Sequence, residues 1–247
     1  MKKMQNTLVV ILLLTGLIRV NAQTSAEIEK ANKSFKPIFL VVYNKDGAEA
    51  DKALAIANEA KKSLKSTSVV IKMNTADAAN NALVTKYRMA GVPLPAILVI
   101  DKNGTAAGGA ILKDATAQKL VDLVPTPKTS EMIKSLDEGK AVYVVFYKES
   151  MNATKKIMDN CAVACAKMDN KSVVMKIDLE DKNEAKLFQR MKCDLNAKEP
   201  VTYIINSTGD ITGTFKGLTD VNTLVGTAKK TAAKSCCPGG APAGGCK

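Results

Sequence analysis

Of 247 residues, the first 22 read as a cleaved leader, and the 225 that remain suit two domains of about 100 residues better than one large core. A hydrophobic share of 46%, a charged share of 24% and a mean hydropathy near zero describe a folded soluble chain, and the absence of any His excludes Cys/His zinc fingers, histidine-based triads and His-ligated metals. The formal charge of +12 falls to +9 without Lys2, Lys3 and Arg19 of the leader, its Lys residues are interleaved with acids, and only Arg88 and Arg190 are left to read bases, so no nucleic-acid partner is expected.

Residues 1 to 22 combine a basic start, Met1-Lys2-Lys3, an apolar run from Leu8 to Ile18 and small residues ending at Ala22. This is the pattern of a secretory signal cleaved after Ala22. The apolar run is about 11 residues, short of the roughly 20 that a spanning helix needs. No later segment is apolar enough to span, so the mature chain is expected to be periplasmic or secreted, with no membrane span. Its six cysteines then face an oxidising compartment.

Residues 34 to 125 form the first predicted domain. An apolar, β-branched run from Pro37 to Tyr43 predicts a buried strand, Ala48 to Leu64 a helix, Val69 to Met73 a second strand and Ala76 to Tyr87 a second helix. Pro95 then opens a strand at Ile97 to Ile100, the turn Asp101-Lys102-Asn103-Gly104 returns the chain as a hairpin, and a helix near Ala115 to Leu123 closes the unit. Residues 126 to 130 read as a linker, kept extended by Pro125 and Pro127.

The second predicted domain, 131 to 232, repeats this order. Ser68-Val69-Val70-Ile71-Lys72 recurs as Ser172-Val173-Val174-Met175-Lys176, and Tyr43 recurs as Tyr147, both at an offset of 104. Pro95 with its strand and Gly104 recurs as Pro200 with Thr202 to Ile205 and Gly209 at an offset of 105. Strands at Ala141 to Tyr147 and Val173 to Ile177 and helices at Asn152 to Met168, Asn183 to Met191 and Asp220 to Lys230 complete the copy, with Ser150 or Asn152 as the expected cap of the first helix. The fold class expected is α/β: two tandem domains, each a mixed sheet flanked by helices.

Each copy resembles a thioredoxin-fold domain, with Pro95 and Pro200 in the place of that family's cis-proline. The resemblance covers about residues 34 to 125 and 130 to 232 and implies a Cys-x-x-Cys pair just after the first strand, where a helix N-terminus activates the nucleophilic thiol. Residues 43 to 51 and 147 to 153 occupy that place and contain no cysteine. The ordinary dithiol mechanism is therefore not expected in either domain.

All six cysteines lie in the second half. Cys161 and Cys165, at i and i+4 in a stripe with Met158 and Met168, read either as a helix face packed on the sheet or as a soft-metal site; a disulfide within that pair is poorly oriented. Cys193 reads as a lone reactive thiol, a partner for the helix cysteines or a bystander. Residues 233 to 247 form a flexible Gly/Pro-rich tail carrying Cys236, Cys237 and Cys246, with three readings: a tail held by disulfides, capture of a thiophilic ion such as Cu or Zn, or a disulfide-exchange arm in which Cys246 closes on Cys236 or Cys237. The function expected is a secreted or periplasmic thioredoxin-like binding module with soft-metal handling by its thiol-rich half. The alternatives are an atypical disulfide-exchange protein and a non-catalytic adaptor for a protein or peptide client.

Overall fold

The computed structural model describes residues 23–64 and 66–231. They form two compact units that divide between Thr126 and Pro127. Each contains one four-stranded mixed sheet with helices on both faces.

In the first unit the elements run α1 (Gln23–Lys33), β1 (Ile38–Tyr43), α2 (Ala48–Ser63), β2 (Val69–Asn74), α3 (Asn81–Lys86), β3 (Ala96–Ile100), β4 (Ala106–Ile111) and α4 (Ala117–Leu123). The strand order is β2-β1-β3-β4, with β1 parallel to β2 and antiparallel to β3, and β3 antiparallel to β4. Every residue of β1 is buried, which is why it reads as an unbroken apolar run rather than an alternating one. Its side chains alternate between two cores. Ile38, Leu40 and Val42 meet Ile28 and Ala31 of α1 and Leu83 of α3. Phe39 and Val41 meet Ala53, Ala57 and Ala60 of α2 and Leu120 of α4, and this alanine stripe lets α2 lie close to the sheet.

The second unit repeats the plan with α5 (Pro127–Asp137), β5 (Ala141–Tyr147), α6 (Thr154–Ala166), β6 (Ser172–Asp178), α7 (Ala185–Met191), β7 (Val201–Ile205), β8 (Ile211–Lys216) and α8 (Val221–Ala228), in sheet order β6-β5-β7-β8. The β3–β4 and β7–β8 hairpins turn in the same way. Buried Asp101 accepts the N–H groups of Asn103 and Thr105, Asn206 accepts those of Thr208 and Asp210, and Gly104 and Gly209 take the left-handed φ values of +83° and +91° that close the turns.

Three expectations are corrected. The segment read as an extended linker at 126 to 130 is the start of α5: a proline at the first helical position has no N–H to lose and a preset φ, so Pro127 begins the helix instead of preventing it. An equivalent helix, α1, precedes the strand taken as the start of the first domain. The helix α6 is not capped by Ser150 or Asn152. Its N-cap is Ala153, in the left-handed region at φ +65° and with no side-chain hydrogen bond.

The N-terminus of α5 is held by Glu184, 1% exposed, whose Oε1 accepts the Lys128 N–H at 2.9 Å while Oε2 is buried with no partner. Glu184→Ala is expected to destabilise the second domain by about 1–2 kcal/mol, because a helix N–H loses its acceptor, and Glu184→Gln to recover most of that through its amide oxygen. Urea unfolding curves of the two variants check this; equal losses for both would assign the effect to charge rather than to the cap.

Candidate functional site

Both first strands end in a tyrosine, and a lysine from the neighbouring parallel strand lies across its ring. In the first domain Lys72 Nζ is 5.0 Å from the Tyr43 ring centroid and 3.8 Å from Asp46 Oδ1. In the second, Lys176 Nζ is 4.0 Å from the Tyr147 ring and 3.9 Å from Glu149 Oε1, and the Tyr147 hydroxyl donates to the same carboxylate oxygen at 3.1 Å. The parallel register opposes Val41 to Lys72 and Val145 to Lys176, so the two constellations occupy the same place in each sheet. In the second domain this corner opens into a groove of about 410 Å³ whose lining includes Met151, Met158, Asp159 and Lys176. Each corner thus holds a cation against a carboxylate and the face of an aromatic ring. The tyrosine and lysine are visible in the sequence repeat; the acids are not, because Asp46 and Glu149 are one residue out of register with it.

The three described cysteines are free thiols, and none of them lines that groove. Cys161 is fully buried, and burial first, then the neighbouring Cys165, pushes its pKa up to about 12. Burial likewise raises Cys165, and pushes Cys193 up to about 11. Cys161 and Cys165 pack with Tyr143, Val145 and Ile204 on one face of the sheet, as the helix-face reading requires. Cys193 packs against the cluster of Val142, Val144 and Phe146 on the other face. The sheet therefore separates them, which corrects the reading of Cys193 as their partner. Among the described residues no group of three Cys, Asp or Glu side chains is placed to hold a metal ion. Cys236, Cys237 and Cys246 lie outside the described residues.

The Leu94–Pro95 peptide bond is cis, and it is the one cis bond among the described residues; Glu199–Pro200 is trans, against expectation. From Arg88 to Pro95 is seven residues, and from Arg190 to Pro200 is ten. The longer approach makes its own turn, in which Asp194 accepts from Ala197 N–H through its carbonyl and from Asn196 N–H through its carboxylate, so the chain reaches β7 by a different path. Both prolines still lead into the hairpin in the same way: the Pro95 carbonyl accepts from Leu112 N–H and the Pro200 carbonyl from Gly217 N–H.

A second cavity, of about 600 Å³, runs along β2 in the first domain. Its polar lining includes Gln23 and Thr24 at the start of α1, Asn74 at the end of β2, and Asn80. Nothing in the sequence pointed to it.

No protein-family model matches the sequence, and no curated protein matches it. Among solved structures the chain is similar to the first two thioredoxin domains of Saccharomyces cerevisiae Eps1p, with 10% identity, 84% of this chain and 96% of that one covered, and a TM-score of 0.30. It is also similar to the NTD_N/C domain of the alkylhydroperoxide reductase AhpF from Enterococcus faecalis (13% identity, 82% and 97% covered, TM-score 0.27) and to human ERp44 in a zinc-bound form (8% identity, 83% and 58% covered, TM-score 0.35). The fold is read from this chain itself: a parallel β1–β2 pair, an antiparallel hairpin entered through a proline and helices on both faces, present twice, make it a tandem of thioredoxin-like domains.

Proposed function

We propose that this chain is a secreted or periplasmic binding module, in which two thioredoxin-like domains hold a partner instead of exchanging disulfides with it and the tail thiols take a soft metal ion. One observation carries the reading: the corner that would present a dithiol carries the Tyr43–Lys72–Asp46 and Tyr147–Lys176–Glu149 constellations instead. The thiols elsewhere in the second domain support it. With raised pKa values they stay protonated near neutral pH, and a thiol is a poor nucleophile and a poor metal ligand. Soft-metal capacity is accordingly assigned to Cys236, Cys237 and Cys246, on a Gly/Pro-rich arm that can wrap an ion.

Two measurements test the proposal. The chain should reduce insulin no faster than the reductant alone; turnover above that background would restore the disulfide-exchange alternative. Deleting residues 236–247 should abolish most Cu(I) and Zn(II) binding in competition with a chromophoric chelator, and leave apo stability nearly unchanged. Retained metal binding in the truncated chain would move the site into the domain, and a stability loss of about 2–4 kcal/mol would make the tail a disulfide staple.

A further inference from the structure

The helices α1 and α5 end in the same way, and the two ends carry different side chains. In α5 the Gly139 N–H donates to the Leu136 carbonyl and the Lys140 N–H to the Ser135 carbonyl, a paired closure whose pivot takes a left-handed φ, here +73°. In α1 the Phe35 N–H donates to the Asn32 carbonyl at 2.9 Å and the Lys36 N–H to the Ala31 carbonyl at 3.0 Å. Phe35 thus holds the place of that glycine at the offset of 104, with φ +52°. A side chain is strained in this conformation and glycine is not. Phe35 is also 71% exposed, and among the described residues of the first domain it is the one large apolar side chain left on the surface. The turn favours glycine and the solvent favours a polar group, so the ring serves something outside the folded chain.

The charges around the ring differ in the same direction. Residues 30 to 36 carry Lys30, Lys33 and Lys36 and no acid, whereas residues 134 to 140 set Asp137 and Glu138 against Lys134 and Lys140. Glu138 pairs there with both lysines, at 3.3 and 2.7 Å. In the first domain Lys33 has a carboxylate, Glu29 at 2.7 Å, while Lys30 and Lys36 have none among the described residues. The hairpin turn adds to this end. A Cβ on Gly104 would stand 2.6 Å from Asn32 Nδ2, so the turn packs against the end of α1 and brings Lys102, where the second domain has Ser207. A solitary ring among lysines lacks the contiguous apolar patch on which a folded partner closes. It suits the surface of a bilayer, where one aromatic side chain reaches the boundary of head groups and acyl chains and the lysines lie level with the lipid phosphates.

We infer that the first domain attaches to an anionic lipid surface through the end of α1, with the Phe35 ring in the interfacial layer and Lys30, Lys33, Lys36 and Lys102 over the phosphates. The inference goes beyond the binding-module reading, since it uses neither the Tyr43–Lys72–Asp46 corner nor the tail thiols. It needs no spanning helix, and among the described residues none is long and apolar enough to be one. The equivalent end of the second domain, with Gly139 and balanced charges, lacks both parts of the anchor.

Because the apolar run of the leader would itself enter lipid, the test uses the processed chain, Gln23 to Lys247, under reductant. It should sediment with vesicles of equal parts phosphatidylglycerol and phosphatidylcholine, and not with phosphatidylcholine alone. Phe35→Gly, which supplies the residue the turn favours, should weaken that binding by about fivefold or more without lowering the melting temperature. Lys30→Asp and Lys134→Asp change the net charge equally at equivalent positions of the two domains, and the first should weaken binding by about fivefold or more, the second by less than about twofold. The chain contains no Trp, so Phe35→Trp supplies a single indole reporter, whose emission should shift to the blue with anionic vesicles and be quenched by brominated acyl chains. Failure to sediment, a Phe35→Gly variant that binds like the parent or melts lower, or an unshifted emission overturns the inference. Equal losses for the two Asp variants also overturn it, and assign the attachment to the net charge of the whole chain.

Discussion

Phe146→Ala is expected to destabilise the second domain by about 3–5 kcal/mol, the largest single effect of any substitution considered. Phe146 sits near the end of β5, a strand buried along its whole length, and is itself 1% exposed. Its ring meets Phe188 of α7 edge-on at 6.1 Å and Tyr203 of β7 edge-on at 5.4 Å, so one side chain ties the central strand to a helix and to its antiparallel neighbour. Truncation leaves a cavity bounded by two aromatic rings that are themselves anchored on different elements and cannot both move in. At the same position in the repeat the first domain holds Val42, a smaller buried side chain with no ring to stack on its neighbours. Val42→Ala should therefore cost less. Urea unfolding of both variants checks the order, and a loss below about 1 kcal/mol for Phe146→Ala would show that the site collapses around the gap.

Those two core strands were also the most readable part of the chain, for the same reason: each is buried on both faces, so each is written as an uninterrupted apolar run. The repeat then carried the topology, because the order of elements recurs with its proline and its glycine turn. The helices α1 and α5 escaped for two different reasons. In α1 only Ile28 and Ala31 are buried, too few to impose a period on eleven residues. In α5 the helix starts on Pro127, which a local rule takes as a breaker unless the first helical position is recognised. The tyrosines and lysines of the candidate site showed as repeated residues, but their role depends on neighbours in parallel register across some 29 positions of sequence. The contact made by Glu184 was invisible. What matters there is a helix start that lies 56 residues away in sequence and reaches Glu184 only through the fold.

The cysteines separate the two domains in a way that alkaline pH should expose. A thiol with a pKa raised in the folded state keeps its proton there while the unfolded chain has already lost it. Between the two pKa values folding takes up a proton, so stability is present below the unfolded value and falls as pH rises through the window. For Cys161 the window runs from the ordinary thiol value of 9.0 to about 12, and because the residue is fully buried its cost approaches about 1.4 kcal/mol per pH unit. Cys193 acts in the same direction up to about 11, with a smaller contribution because it is only partly buried, and Cys165, Tyr143 and Tyr203 are each raised chiefly by burial. All five lie in the second domain, and the first has no cysteine at all. Urea unfolding followed by circular dichroism at pH 7, 9.5 and 11 should therefore show the second domain losing several kcal/mol that the first keeps. Cys161→Ala isolates the cause: it should lower stability at pH 7 by removing packed volume, yet flatten the slope between pH 9.5 and 11, since the group that resists ionisation is gone. A variant that loses stability in parallel with the parent across that range would show that the alkaline sensitivity comes from the tyrosines or from lysine neutralisation instead.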